Sequence, residues 1–218
     1  MKKLSLYLLA VLFMGCANAQ DKPGDHDFVS VPAPKAGEAV ATWGGGCFWA
    51  MGEAMSELKG VNKVVAGYAG GNTKNPTYDE VCTRTTNHAE TVQVYYDPKV
   101  ISYANLVKAF FSAHDPTTLN KQGPDVGTDY RSIVFYRTPQ EKAAVEAAIK
   151  DVNDSRHYSH PVVTQVVPFK VFYPAERYHQ GYYKAHIDDN PYVAEVSQVK
   201  VMKMRAAMKA YLKPQYLK

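Results

Sequence analysis

The chain has 218 residues, 46% of them apolar, 12% aromatic and 21% charged, with 14 glycines, 13 prolines and three cysteines. That is enough apolar material for one sizeable core in one globular domain, and near-average glycine and proline without a repeat exclude collagen-like, solenoid and disordered chains. A formal net charge of +4, which loses two when Lys2 and Lys3 leave with an N-terminal leader, is too weak to suggest a nucleic-acid partner.

Residues 1–19 read as an export signal: Lys2 and Lys3, an apolar run over residues 4–14, then small residues. The run is about half a membrane span, so no integral membrane protein is expected. Ala17, Asn18 and Ala19 suit cleavage before Gln20, whereas Phe13, Met14, Gly15 and Cys16 suit a lipoprotein leader of residues 1–15 with Cys16 acylated. Both routes lead to the cell envelope, periplasmic or lipid-anchored through Cys16. Residues 20–37 carry proline, glycine and charge without periodicity and are expected to be a flexible tether, with the folded domain spanning 38–218.

Val40 and Thr42 alternate with Ala39 and Ala41 in a short strand ending at Trp43, and Gly44, Gly45 and Gly46 break it. Phe48, Met51, Met55 and Leu58 share one helix face, and Gly60 ends that helix. A second strand covers 61–68, a loop over 70–77 leads to a helical turn at 78–82, and a third strand covers 88–96. Ser102 caps a helix with Tyr103, Leu106, Val107, Phe110 and Phe111 inward, and a loop over 115–128 leads to a fourth strand at 130–136. Thr138, Pro139 and Glu141 make a capping box for a helix striped by Val145, Ala148, Ile149 and Val152, and 162–167 return as a strand.

The order β, α, β, β, α, β, with a helix and strand appended, predicts an α+β fold: a ferredoxin-like α/β plait with added helices and a C-terminal helix. An open doubly wound sheet is the competitor, but residues 70–87 are too rich in glycine and polar groups for the crossover helix it needs. After Glu195 there is no acid, while Lys200, Lys203, Arg205, Lys209, Lys213 and Lys218 follow. Val201, Met204, Met208, Tyr211 and Leu212 recur among them at helical spacing, so a terminal helix docked by its apolar stripe, with its basic face in solvent, is expected in preference to a membrane-surface helix.

Once the leader is processed, Cys47 and Cys82 are too few for a disulfide framework. They form one structural bridge, two inert thiols, or one reactive cysteine with a bystander. Cys47 follows three glycines, ends a strand and opens a helix, where outward N–H groups favour a thiolate and glycines leave the site open. The alternative is a small buried residue capping the helix. Phe48 and Trp49 cannot both face the core stripe, so at least one should line the mouth beside the sulfur. Glu90 shares a strand face with Val92, Val94 and Tyr96; there its carboxyl is desolvated and its pKa raised, unless the strand frays and leaves an exposed carboxylate. His157 and His160, in a polar loop, make no metal-ligand pattern.

Gly46-Cys47-Phe48-Trp49 resembles the active-site signature of the A-type peptide methionine sulfoxide reductases. Gly67 to Gly71, Asn75-Pro76-Thr77-Tyr78, His88-Ala89-Glu90, His114-Asp115-Pro116-Thr117, Asp125 to Ser132 and Tyr178-His179-Gln180 follow in the order and spacing of that family, over residues 40–192; Ala50 stands where many members have glycine. The resemblance implies that Cys47 attacks the sulfur of methionine S-sulfoxide, in proteins or free, releasing methionine and leaving a sulfenic acid. It implies Glu90 as the acid that protonates the departing oxygen, Tyr78 and Tyr130 as holders of that oxygen, Asp125 as an organising carboxylate, and Phe48 and Trp49 as the pocket for the methyl group. It further implies a monomer without bound cofactor or metal, acting on oxidised proteins or peptides and reduced by an external thiol, either a thioredoxin-like protein or a small thiol. Members that recycle through a disulfide often use cysteines near the C-terminus; none follows Cys82, so no resolving cysteine is expected, and Cys82 is the less favoured candidate. Two other classes stand beside this one: a cysteine hydrolase or acyltransferase with His88 as base, and a non-catalytic envelope binding module with a Cys47 to Cys82 bridge.

Overall fold

The computed structural model describes residues 27–217. The export leader, acylation at Cys16 and the first part of the expected tether lie outside the described residues. The elements are β1 (Ala39–Gly44), α1 (Phe48–Ser56), β2 (Val61–Ala69), α2 (Tyr78–Cys82), β3 (Ala89–Tyr96), α3 (Tyr103–Ser112), β4 (Lys121–Gln122), β5 (Asp125–Val126), β6 (Ile133–Tyr136), α4 (Pro139–Asp154), β7 (Gln165–Pro168), β8 (Phe172–Pro174), α5 (Tyr182–His186) and α6 (Gln198–Ala207). Among the described residues, no helix is long and apolar enough to cross a membrane.

Six strands form one mixed sheet in the order β7-β6-β1-β3-β2-β8, antiparallel throughout except for the parallel β6–β7 pair. The fold is α+β. β3 lies at the centre, and every one of its residues is buried. Alternation along it sends Val92, Val94 and Tyr96 into the main core with α1, α3 and α6, and Ala89 and Tyr95 into a smaller cluster on the opposite face with Val65, Ile133, Phe135 and Phe172. Val29 packs against that smaller cluster, and the Tyr95 hydroxyl donates to the Pro32 carbonyl at 2.8 Å. From Asp27 onward, therefore, the segment expected to be a tether is docked: Phe28 forms a backbone bridge with Glu176, and Arg177 pairs with Asp27.

Local chemistry explains three of the six helix starts. Thr77 and Glu80 close a full capping box on α2, and Ser102 accepts from the Asn105 N–H at the start of α3. At α4 only half of the expected box forms: Thr138 accepts from the Glu141 N–H, but the Glu141 carboxylate turns to the Arg137 N–H at 2.6 Å. The fourth strand starts at Ile133, later than expected, because residues 128–130 wind into a 3-10 turn closed by Tyr130 N–H to Gly127 O. The return strand likewise starts at Gln165.

The C-terminal stretch departs most from its pattern. It holds β8, a 3-10 turn at Arg177–His179, α5, one π-helical turn at Val193–Ser197 and then α6, which ends at Ala207. Elements this short carry no readable period. The apolar stripe is docked as expected, with Val201, Met204, Met208 and Leu212 buried. The basic face is not simply solvated: Arg205 forms a two-pronged pair with the buried Glu57 at 2.6 and 2.7 Å, Lys213 donates to the Ser56 and Val61 carbonyls, and Lys200 pairs with Asp125. Desolvated carboxylates need such partners, and this is what draws the cations inward.

Close pairing of β2 with β8 carries the chain from the sheet edge toward residues 176–182. Gly67 lies opposite Pro174, and a Cβ there would overlap the Tyr173 carbonyl oxygen and the Phe172 ring. Gly67→Ala is expected to cost ~1–3 kcal/mol through overpacking, lowering the thermal midpoint by roughly 2–12 °C; calorimetry of the two proteins checks this.

Candidate active site

Three successive glycines bring β1 to the thiol. A Cβ on Gly44 would stand 2.5 Å from the Glu90 carbonyl oxygen, so the close approach of β1 to β3 requires glycine there. Gly46 has φ +81°, a left-handed conformation that a side chain disfavours, and its N–H donates to the Tyr130 carbonyl at 3.1 Å. The next residue, Cys47, occupies the N-cap of α1 without using its side chain as a cap. Its thiol is free and only 4% exposed.

Burial decides the resting state of this thiol. It pushes the Cys47 pKa well above the ordinary thiol value, with the acids Glu90 and Asp125 adding to the rise and Lys200 and the Trp49 N–H opposing it. The expectation that the helix start favours a thiolate is therefore corrected for the free protein: the N–H groups are present, but desolvation outweighs them.

Glu90 is 2% exposed on the core-facing side of β3, and its Oε2 accepts from the Phe48 N–H at 2.9 Å. The exposed-carboxylate alternative is excluded. Burial raises its pKa well above the usual carboxylate range, with the nearby acids Asp129 and Asp125 adding to the effect and the Phe48 N–H working against it. The site thus favours the protonated form of Glu90.

Tyr78, from α2, and Tyr130, from the 3-10 turn, face this pair: both hydroxyls are raised by burial and further by charge on Glu90 and Cys47. The Tyr78 N–H donates to Glu176 Oε1 at 2.8 Å, and the Tyr68 hydroxyl donates to Glu176 Oε2 at 3.0 Å. Both Phe48 and Trp49 are buried, and both line a small cleft with Gly52, His179 and Tyr182. Phe48 packs between Tyr68 and His179, while Trp49 stacks on Tyr182 at 3.8 Å between ring centroids and meets Tyr192 edge-on. The Trp49 indole N–H donates to His179 Nδ1 at 3.0 Å, and burial lowers the His179 pKa to about 3, keeping the ring a neutral acceptor.

Asp125, on β5, accepts from the Tyr192 hydroxyl at 2.9 and 2.8 Å and from Lys200 Nζ at 3.0 Å. The Tyr192 hydroxyl also lies within electrostatic reach of Cys47, whose charge adds to the rise that burial gives its pKa. All seven residues expected at the site are thus assembled: Cys47, Phe48, Trp49, Tyr78, Glu90, Asp125 and Tyr130. Four that join them were not singled out by role: Glu176, His179, Tyr192 and Lys200. His179 lies in a motif already noted, and Asn190-Pro191 signals a helix start just before Tyr192, but nothing local to either directs it toward Cys47.

His88 does not serve Cys47. Its Nε2 bonds the Thr73 carbonyl at 2.8 Å and its Nδ1 accepts from the Gly71 N–H at 3.2 Å, so the ring shapes the loop after β2 and the cysteine hydrolase reading loses its base. His114, beside Gly45, is likewise committed, to Phe110 O and Ser132 Oγ. Cys47 is free, which removes the Cys47 to Cys82 bridge of the binding-module reading. Among the described residues, no group of three or more His, Cys, Asp or Glu side chains is placed to hold a metal ion.

The family model "Peptide methionine sulfoxide reductase" matches residues 39–212. A peptide methionine sulfoxide reductase MsrA of Haloquadratum walsbyi is 51% identical over 76% of this chain and 94% of its own length, and one of Thermus thermophilus is 46% identical over 81% and 99%. Among solved structures, Mxr1 of Saccharomyces cerevisiae in reduced form superposes with a TM-score of 0.67 at 32% identity, covering 73% of this chain and 93% of that one. Methionine sulfoxide reductase A of Corynebacterium diphtheriae gives 0.63 at 30% identity, covering 76% and 90%. A match running from β1 to Leu212, with relatives aligned over nearly their whole length, places this chain in the peptide methionine sulfoxide reductase family.

Proposed function

We propose that Cys47 reduces methionine S-sulfoxide, in oxidised proteins or peptides and as the free amino acid, with Glu90 as the proton donor. The observation that carries this reading is the hydrogen bond from the Phe48 N–H to Glu90 Oε2, which sets a buried, protonated carboxyl one residue from a free cysteine. With Oε2 taken, the acidic proton sits on Oε1.

The Cys47 sulfur attacks the sulfoxide sulfur as Glu90 gives its proton to the sulfoxide oxygen, and the thiol proton returns to the carboxylate. Oxygen passes to Cys47, which is oxidised by two electrons to the sulfenic acid, and methionine sulfur is reduced by two. Tyr78 and Tyr130 hold the oxygen by their hydroxyls, whose raised pKa values keep them protonated donors. Phe48 and Trp49 supply the apolar wall for the methyl group. Asp125 orients Tyr192 beside the sulfur. One external thiol then attacks the sulfenic acid, releasing water and forming a mixed disulfide, and a second thiol frees Cys47. With no cysteine after Cys82, a thioredoxin-like protein or a small thiol fits this role better than an internal resolving cysteine.

The reading extends to fold and location. The inner order β6-β1-β3-β2, antiparallel throughout, supports a ferredoxin-like plait for the central strands. The leader supports export of a monomeric enzyme to the cell envelope, anchored through Cys16 if acylated.

Turnover of a methionine S-sulfoxide peptide with dithiothreitol tests the reaction. Cys47→Ser is expected to abolish it with the fold intact, since a buried hydroxyl lacks the nucleophilicity of sulfur; retained turnover would remove Cys47 from the mechanism. Glu90→Gln keeps shape and burial but not the proton, so kcat should fall ~100-fold or more with KM little changed. A loss confined to KM would make Glu90 a substrate-positioning group. Mass spectrometry of the exported protein should find an N-terminus at Gln20 or an acylated Cys16, and intact Met1 would contradict export.

A further inference from the structure

Lys200 belongs to the basic C-terminal run whose pattern points to a solvated face, yet its side chain is only 12% exposed. Its Nζ lies 3.0 Å from Asp125 Oδ2, and a Cβ on Gly46 would stand 3.2 Å from that nitrogen, so the ammonium sits beside the residue preceding Cys47. The titratable groups facing the thiol are Glu90 from β3, Asp125 from β5, Tyr78 from α2, Tyr130 from the 3-10 turn, Tyr192 from the π-helical segment and Lys200 from α6. Lys200 is the cation of this set.

Tyr192 has one hydroxyl hydrogen, which it gives to the Asp125 carboxylate, and the Cys47 sulfur is close enough for its charge to act on that hydroxyl. A carboxylate with no other donor would keep that hydrogen. Lys200 gives Asp125 a second, charged donor, so the Tyr192 hydrogen can turn to sulfur as negative charge develops there.

We propose that Lys200 is a positioning residue for sulfoxide reduction: its ammonium satisfies Asp125, releases the Tyr192 hydroxyl to the Cys47 thiolate, and supplies the positive charge that this buried thiolate needs. Its place is set by α6, whose buried stripe of Val201 and Met204 and whose Arg205–Glu57 pair fix the helix against α1.

The test compares Lys200→Met, Lys200→Gln and Lys200→Arg in the full chain. Alkylation of Cys47 by iodoacetamide is followed against pH by mass spectrometry of the Cys47 peptide, alongside kcat and KM for a methionine S-sulfoxide peptide with dithiothreitol. In Lys200→Met the alkylation midpoint should rise by about one pH unit or more and kcat fall ~10-fold or more, with KM within about twofold; Lys200→Arg should restore most of both. Lys200→Gln keeps a donor to Asp125 without charge, so it folds even if Lys200→Met does not, and its midpoint should also rise. A wild-type midpoint in folded Lys200→Met or Lys200→Gln, or an Arg variant as impaired as Met, would overturn the proposal. The proposal rests on the reductase reading only for its rate readout; the alkylation midpoint reports on Lys200 even if sulfoxide turnover fails.

Discussion

The bond between the Phe48 N–H and Glu90 ties the first turn of α1 to the central strand, and the rest of the site is arranged around it. Glu90 is buried there, and burial together with the nearby acids Asp129 and Asp125 opposes its ionisation. Cys47 is held protonated by the same kind of environment. Both groups are thus held toward their uncharged forms by the same burial. In a site closed to water, this keeps the resting protein free of an uncompensated buried charge.

The sheet makes that arrangement rigid. β3 is flanked by β1 and β2 and covered on both faces, so the strand carrying Glu90 has no freedom to shift. Gly44 allows β1 to approach the Glu90 backbone, and Gly46 then turns the chain so that its N–H reaches the Tyr130 carbonyl. Gly44 serves proximity and Gly46 serves direction, and between them they fix Cys47 relative to both Glu90 and Tyr130.

Much of this was legible in the sequence because the relevant elements are regular. The alternation of Glu90, Val92, Val94 and Tyr96 and the spacing of Phe48, Met51 and Met55 each specify a buried face, and the structure buries them. The protonation state of Cys47 was not legible, because a helix start argues for a thiolate and only the tertiary cover of Tyr192 and its neighbours reverses that balance. Glu176, His179 and Tyr192 escaped a pattern-based reading for a related reason. They sit in 3-10, π-helical or connecting segments too short for a period, and long-range contacts bring them to the site.

The docking of residues 27 and 28 bears on how the catalytic domain can be handled. Phe28 pairs with the backbone of Glu176, whose carboxylate holds both the Tyr78 N–H and the Tyr68 hydroxyl, and the adjacent Arg177 is held by Asp27. A recombinant version trimmed to the first residue of β1 would keep every strand of the main sheet but lose the clamp on the turn that orients Tyr78. The natural cut point for a minimal domain therefore lies upstream of Asp27, well before β1 begins.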